Sequence, residues 1–326
     1  MSSHATCAES ATLRLPAPAK LNLFLHVTGR RADGLHLLET VFQFIDLNDQ
    51  ITLALEPSGA ITRTQNPDGV SEADDLTLRA AHALKNATGC PLGVSIGLTK
   101  GIPIGAGLGG GSSDAATVLL GLNRLWQLNM SREALIDIAR PLGADVPIFV
   151  YGRNAYATGI GDEFQPVELP QRWFVLLMPH VHVATAGVFS APELTRDTKP
   201  ITMQGFTGLA GRNDLQPVVE ARQPAVKTAL QVLTTAVETV ASRASNPVAF
   251  DSNCVRMTGS GACVFAAADT FEAAQAVFEE IQKNASANSV SRHTPDAERI
   301  TIRTEFGNLY LVKGLASHPL GSRQVG

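Results

Sequence analysis

Pro103-Ile104-Gly105-Ala106-Gly107-Leu108-Gly109-Gly110-Gly111-Ser112-Ser113 is the strongest chemical signal in the chain, with five glycines in the seven positions from Gly105 to Gly111. Glycine reaches backbone torsions that a side chain forbids, so this segment can curl with its N–H groups pointing inward. Beyond it, Ala115, Val118, Leu119, Leu122, Leu125 and Trp126 recur at helical spacing and predict a helix with one buried stripe. Ser112 and Ser113 stand where an N-cap is expected, so the loop opens straight into a helix N-terminus. Unpaired amides and the positive end of the helix dipole converge there, which suits a phosphate. One or two glycines would signify only close packing. This density beside a serine pair favours phosphate binding.

Two common phosphate loops are excluded. Gly105, Gly107 and Gly110 spell G-x-G-x-x-G, but a dinucleotide fold needs an acid about 20 residues on, at the end of a second strand. That position falls in Gln127–Ser131, after a helix, and contains no acid. A Walker loop is excluded because no Lys precedes Ser112.

Upstream of the loop, a strand is predicted near Gly93–Thr99, leading through Lys100 into the glycines, and a helix around Asp75–Ala87. Earlier, Leu21, Leu23, Leu25 and Val27 alternate with Lys20, Asn22, Phe24 and His26, so Leu13–Val27 reads as a strand. A turn at Gly29–Gly34 and two strands, Glu39–Asp46 and Gln50–Leu55, are expected to follow. Downstream, a helix at Ser131–Arg140 is stopped by Pro141, and Gly143–Val150 reads as a loop entering a strand. The Pro and Trp cluster at Pro166–Trp173 marks the expected boundary between domains 1–168 and 169–326. The second half reads as a strand at Trp173–Met178, loops through Asp214, and a long helix from Ala221 to Ser242. A turn at Thr258–Gly261, a strand at Ala262–Ala267 and a helix at Phe271–Gln282 complete it. Strands and helices alternate only in part, so the expected class is α+β with two domains rather than a doubly wound sheet.

With 326 residues, 44% hydrophobic, the chain is long enough for about two domains and a full core. A net charge of −4 opposes general nucleic-acid binding, which needs a basic face. The four cysteines are scattered without a C-x-x-C pair, so reduced thiols are expected. No apolar run approaches membrane-span length, and Met1–Ser10 carries no signal-like block. That tail is expected to be a short disordered extension, and the location cytoplasmic.

Other positions offer chemistry beside a plainer reading. Lys20 is a charge in an otherwise apolar strand, usually an edge lysine in water; Asn22 and His26 on its face favour a cation aimed at phosphate or at an activated hydroxyl. Asp145, in Gly143-Ala144-Asp145-Val146-Pro147, either caps a turn or takes the acceptor hydroxyl proton. Thr258-Gly259-Ser260-Gly261 is as consistent with a hairpin as with a site. His180 and His182 alternate like metal ligands but have no third partner at useful spacing, so exposed histidines are expected. Spacing does not bring Lys20 and Asp145 together.

Three segments in order resemble the three motifs of the GHMP kinases: Pro18-Ala19-Lys20-Leu21-Asn22-Leu23, Pro103–Ser113 and Gly259-Ser260-Gly261. Arg31-Ala32-Asp33-Gly34-Leu35-His36, Leu142–Pro147 and Asn213-Asp214-Leu215 resemble the branch whose acceptor is a cytidyl-diphosphate methylerythritol. The likeness runs from about residue 15 to 270. It implies two α+β domains with the site in the cleft between them, and ATP-dependent phosphorylation of the acceptor 2-hydroxyl. It implies Lys20 and Asp145 as the catalytic pair, and Pro103–Ser113 with Lys100 and Asp75 around ATP. Mg²⁺ would arrive on the nucleotide, without a metal site of the protein's own. His36, Asn22, Leu35, Thr185 and Phe189 would meet the cytidyl substrate. The branch-specific segments argue against homoserine or mevalonate as acceptor. A non-catalytic sensor on this scaffold would be expected to lose Lys20 or Asp145, and both are present.

Two positions depart from the family pattern. Leu35 replaces a tyrosine that stacks on cytosine, so weaker substrate binding is expected. Asp74-Asp75-Leu76 replaces the usual Asp-Asn-Leu, and Asp75 lacks the amide donor that helps hold adenine.

Overall fold

The computed structural model describes residues 11–64, 71–201, 209–243, 250, 253–285, 290–293 and 300–321. The expectation for Met1–Ser10 lies outside them. The chain opens with two long antiparallel strands, β1 (Thr12–Arg30) and β2 (His36–Glu56), followed by β3 (Ile61–Arg63), α1 (Leu76–Thr88) and β4 (Gly93–Thr99). Then come α2 (Gly110–Leu125), α3 (Arg132–Ala139), α4 (Val146–Tyr151), β5 (Ala155–Thr158) and β6 (Glu163–Pro166). The first sheet runs β3-β4-β2-β5-β6, with β1 paired along β2.

The second half comprises β7 (Trp173–Met178), α5 (Thr185–Phe189), α6 (Gln216–Arg222), α7 (Pro224–Arg243), β8 (Val255–Met257) and β9 (Val264–Ala268). It ends with α8 (Phe271–Asn284), β10 (Val290–His293), β11 (Ile300–Thr304) and β12 (Gly307–Lys313). Its sheet runs β10-β11-β12-β7-β9-β8. Two sheets with helices packed on them make an α+β protein, as the partial alternation predicts.

Alternation on β2 explains how the halves join. Phe42 and Phe44 pack into the core beneath α1, α2 and α4, while Val41, Ile45 and Leu47, of opposite parity, pack into the core of the second half. β1 changes core along its length: Leu15 and Ala17 lie in the first core, and Ala19 through Val27 in the second, with a bulge between Pro18 and Ala19. Each fully buried Leu or Phe contributes about 1.5–3 kcal/mol, so β1 is fixed firmly on both sides of Lys20. The last described residues return to the first half, where Leu315 and Leu320 pack on its core and Leu315 O accepts from Gln43 Nε2 and Asn154 Nδ2.

The structure corrects several expectations. β2 is one strand rather than two, because it runs through Asn48-Asp49. Gly143–Val150 enters helix α4, not a strand, with Pro147 in the first helical turn, where its missing N–H is harmless. The helix expected from Ala221 is α6 and α7, separated at Gln223-Pro224. Beyond Gln282, β12 pairs with β7 inside the second sheet. Ser112 and Ser113 do not cap α2; the N-cap is Gly109 in a left-handed conformation.

Candidate active site

The glycine-rich loop connects β4 to α2, and its shape depends on glycines in the left-handed region. Gly105, Gly107 and Gly109 all adopt φ of 74°. A Cβ on Gly107 would lie 2.8 Å from Gly261 O, and one on Gly109 would lie 2.9 Å from the Phe149 ring. No side chain caps α2, so its first amides remain open toward the loop. Ser113 Oγ is fully buried and donates to Pro18 O at 2.7 Å, which ties α2 to β1. Ser112 lines the cavity and Ser113 does not.

Lys20 reaches this loop from β1. It is 2% exposed, and its Nζ donates to Asn22 Oδ1 at 2.7 Å and Gly107 O at 3.1 Å, with Asp145 Oδ2 at 3.3 Å. The ammonium thus makes two hydrogen bonds and one ion pair. The backbone is anchored as well, Lys20 N donating to Leu108 O. Asp145 stands at the N-cap position of α4, yet its side chain makes no capping bond and turns to Lys20 instead. Asn22 is set by its own Nδ2 bond to Thr40 Oγ1, and its backbone N–H donates to Thr258 Oγ1.

The Thr258–Gly261 turn closes the loop from the opposite side. Cys263 N donates to Ala106 O, and Asn213 Nδ2 donates to Met257 O and Gly259 O. All three glycine- or lysine-bearing segments therefore meet at one place, around a cavity of about 540 Å³, a size suited to small-molecule ligands. Pro103, Ile104, Gly105, Ala106, Leu108, Gly110 and Gly111 line it along with the residues above.

Lys100 lines the same cavity, held between two buried carboxylates, Asp49 and Asp114, with Asp114 Oδ2 at 2.9 Å. Burial pulls the Lys100 ammonium downward, but Asp114 and Asp49 outweigh it and raise it above its ordinary value. Burial and then the neighbouring Asp49 push Asp114 up to about 8 against the opposing pull of Lys100. Asp49 also accepts Gly101 N at 2.6 Å and Ile102 N at 2.7 Å through Oδ1, pinning the entry to the loop.

Asp75 is the N-cap of α1 and lines the cavity, but its oxygens are engaged. Oδ1 accepts from Thr77 N and Thr77 Oγ1, and Oδ2 from Arg63 Nη1 at 2.9 Å. Burial works to raise its carboxyl; those hydrogen bonds prevail and hold it below the usual range.

Thr185 and Phe189 line the cavity, whereas Leu35 and His36 are not among its lining residues; His36 begins β2 and its ring lies 5.1 Å from that of Phe189. Leu35 is 48% exposed in the turn before it. Thr185 Oγ1 and Ser260 Oγ are 2.7 Å apart, joining α5 to the Thr258–Gly261 turn. His180 and His182 are exposed, as expected, and His182 also lines the cavity beside the loop. No sequence motif singles out Thr40, Asp49, Asp114 or Arg196; the first three are polar groups whose burial only the fold reveals. Among the described residues no group of three His, Cys, Asp or Glu could hold a metal ion.

Comparison with known proteins agrees with this geometry. Residues 75–153 match the family model for the N-terminal domain of GHMP kinases. A 4-diphosphocytidyl-2-C-methyl-D-erythritol kinase from Burkholderia pseudomallei is 48% identical over 291 residues, covering 85% of this chain and 94% of the relative. One from Bordetella parapertussis is 46% identical over 312 residues, covering 94% and 96%. The crystal structure of a 4-(cytidine 5'-diphospho)-2C-methyl-D-erythritol kinase superposes with a TM-score of 0.70 at 32% identity, covering 93% of this chain and 100% of that one. A homoserine kinase from Cytophaga hutchinsonii, at 16% identity and a TM-score of 0.62, shares the fold. The chain belongs to the GHMP kinases and, within them, to the 4-diphosphocytidyl-2-C-methyl-D-erythritol kinase family.

Proposed function

We infer that this chain transfers the γ-phosphoryl group of ATP to the 2-hydroxyl of 4-diphosphocytidyl-2-C-methyl-D-erythritol, in the non-mevalonate route to isoprenoid precursors. The observation that carries the assignment of roles is the Lys20–Asp145 pair, 3.3 Å apart beneath the open N-terminus of α2. Asp145 orients the acceptor hydroxyl and takes its proton as the new O–P bond forms and the bond to ADP breaks. Lys20 steadies the charge that develops on the transferred group. A loose transition state asks little basicity of the aspartate, so positioning is its larger contribution.

The loop Pro103–Ser112 offers backbone amides to the ATP phosphates, with Lys100 as a flanking cation. Ser113 serves by fixing α2 on β1, its hydroxyl being spent on Pro18. Asp75 supports the adenine end through α1 rather than by a free acceptor, both oxygens being engaged. Mg²⁺, if bound, would be held by the nucleotide phosphates rather than by a ligand set of the protein's described residues, and would supply positive charge there. Asn22 holds Lys20 and borders the acceptor; His36, Phe189 and Leu35 meet the cytosine, and Thr185 its diphosphate. We place the domain division at 168/169, supported by the two sheets lying on either side of it, and the protein in the cytoplasm, supported by reduced, buried Cys90, Cys254 and Cys263. Among the described residues no helix is long and apolar enough to cross a membrane.

A coupled ADP-release assay over a panel of alcohols tests the reading. Release is expected with the cytidyl-diphosphate substrate only. Turnover of homoserine or mevalonate, with none of that substrate, would overturn it.

A further inference from the structure

Arg196 lies outside every motif discussed above, in the loop after α5, yet it joins the two walls of the substrate end. Its Nε donates to His36 Nε2 at 3.1 Å. Its Nη2 donates to Phe189 O at 2.9 Å and Ala191 O at 2.7 Å, and its Nη1 to Leu194 O at 3.0 Å. One half-buried guanidinium therefore fastens the start of β2 to the segment that carries the Phe189 ring. Arginine's rigid fork makes such a four-acceptor arrangement at little cost in side-chain entropy.

The bond to His36 has a chemical consequence. Guanidinium is always a donor, so Nε2 of His36 must present its lone pair. The imidazole is then neutral, and its single hydrogen sits on Nδ1. The other influences act in the same direction. Burial lowers the His36 pKa, then Arg196, then Arg30, its cross-strand partner on β1, and both of these charges are positive. From α5 it meets the apolar ring of Phe189.

Pyrimidine bases differ at the edge such a donor would meet. Cytosine presents N3 as an acceptor, flanked by the O2 acceptor and the N4 amino donor; uracil presents an N3–H donor between two carbonyls. A fixed Nδ1–H donor fits the first and opposes the second. We propose that Arg196 is the positioning residue that holds His36 as an Nδ1–H donor and thereby sets the preference of this kinase for cytosine over uracil. The proposal rests on the reading that His36 meets the substrate base.

Three measurements on the full chain test it. Long-range ¹H–¹⁵N spectra of the free enzyme are expected to show His36 as the Nδ1–H tautomer, titrating below 6.5. In Arg196→Met the spectra are expected to shift toward the Nε2–H tautomer and the titration toward the ordinary value. The preference for the cytidyl substrate over its uridyl analogue, as kcat/KM, is expected to fall about tenfold, the worth of one hydrogen bond. That loss should fall on KM of the base-bearing substrate, with kcat at saturation and KM for ATP unchanged. Arg196→Lys, which restores a donor for Nε2 without the fork, should recover part of the preference; a merely structural role would not move the tautomer. An Nε2–H tautomer in the wild-type spectra overturns the proposal, even if Arg196→Met fails to fold. So does an unchanged cytidyl-to-uridyl ratio in a folded Arg196→Met. If the wild type turns over no cytidyl substrate, the proposed function fails, and the spectra still decide the role of Arg196.

Discussion

Lys20 Nζ lies 3.3 Å from Asp145 Oδ2, and each is placed by an element that does not depend on the other. Lys20 is anchored by β1, whose flanks sit in two different hydrophobic cores, and by its N–H bond to Leu108 O. Asp145 is positioned by the turn into α4, whose residues Val146 to Val150 are all buried. A pair assembled this way is preorganised: neither side chain must be ordered when substrate arrives, which is how a site converts binding into rate. Both line the cavity, and Asp145, at 36% side-chain exposure against 3% for Lys20, is the more accessible of the two.

Asp145→Ala, which removes both the orienting group and the proton acceptor, is accordingly expected to lower kcat by roughly 10²–10⁴-fold, while ATP still binds. Stopped ADP release and calorimetric ATP binding check the two halves. Full turnover in this variant would remove Asp145 from the mechanism.

Leu35 is exposed just before His36, at the position where the resemblance implies a tyrosine stacked on cytosine. Stacking of a base on an aromatic is worth about 1–3 kcal/mol. Leu35→Tyr is therefore expected to lower KM for the cytidyl substrate about tenfold, with kcat unchanged. An unaltered KM would mean that another group already covers the base.

The loop was legible in the sequence because five clustered glycines have a steric meaning that survives without knowledge of the fold. The Lys20–Asp145 contact was not, since it depends on how β1 and α4 pack, and only resemblance paired the two. Gly143–Val150 reads as a loop entering a strand because a short apolar run has no periodicity to tell strand from buried helix; Pro147, in the first turn of α4, is the local sign of a helix start. The expected strands Glu39–Asp46 and Gln50–Leu55 leave Leu47 to Asp49 between them. In the fold, Asp49 continues β2 and turns its carboxylate to the loop entry, a use no local pattern announces. Arg196 is equally unmarked in the sequence, as its hydrogen bonds go to backbone carbonyls and to a histidine distant in sequence.

Asp49 separates two contributions to ATP binding. Its Oδ1 holds the amides of Gly101 and Ile102, and its Oδ2 holds Lys100. Asp49→Asn keeps an acceptor for the amides and loses the charge; Asp49→Ala loses both. KM for ATP is expected to rise about threefold in the first and tenfold or more in the second, given about 1–3 kcal/mol for each buried donor left without a partner. Equal effects in the two variants would mean that the ion pair alone matters.

Asp75 gives an acid-side prediction. Its carboxyl is held below its ordinary value in the fold, so the folded state binds fewer protons than the unfolded one as pH falls. Stability from this cap is therefore fully present above the unfolded pKa of about 3.9 and is lost as pH drops through the folded value. Asp75→Asn should flatten the melting temperature below pH 4 relative to wild type, and at pH 7 should cost about 1 kcal/mol from the lost ion pair with Arg63. An acid limb of the same slope in both proteins would exclude Asp75 as a contributor.

Asp114 acts in the opposite sense. Its carboxyl, raised to about 8, binds its proton more tightly in the folded state than in the unfolded one. Unfolding then releases a proton between about pH 4 and pH 8, and by linkage stability falls as pH rises through that window. The geometry explains why: Lys100 supplies one positive charge to two buried carboxylates, and Asp114 Oδ1 has no hydrogen-bond partner. Leaving a second negative charge there uncompensated is costly. Asp114→Asn keeps the size and an acceptor for Lys100 while removing the charge, so its melting temperature should exceed that of wild type at pH 8 and converge with it near pH 5. A wild-type melting temperature that does not decline between pH 5 and pH 8, or a variant that runs parallel to it, would show that the buried triad is balanced by some other group.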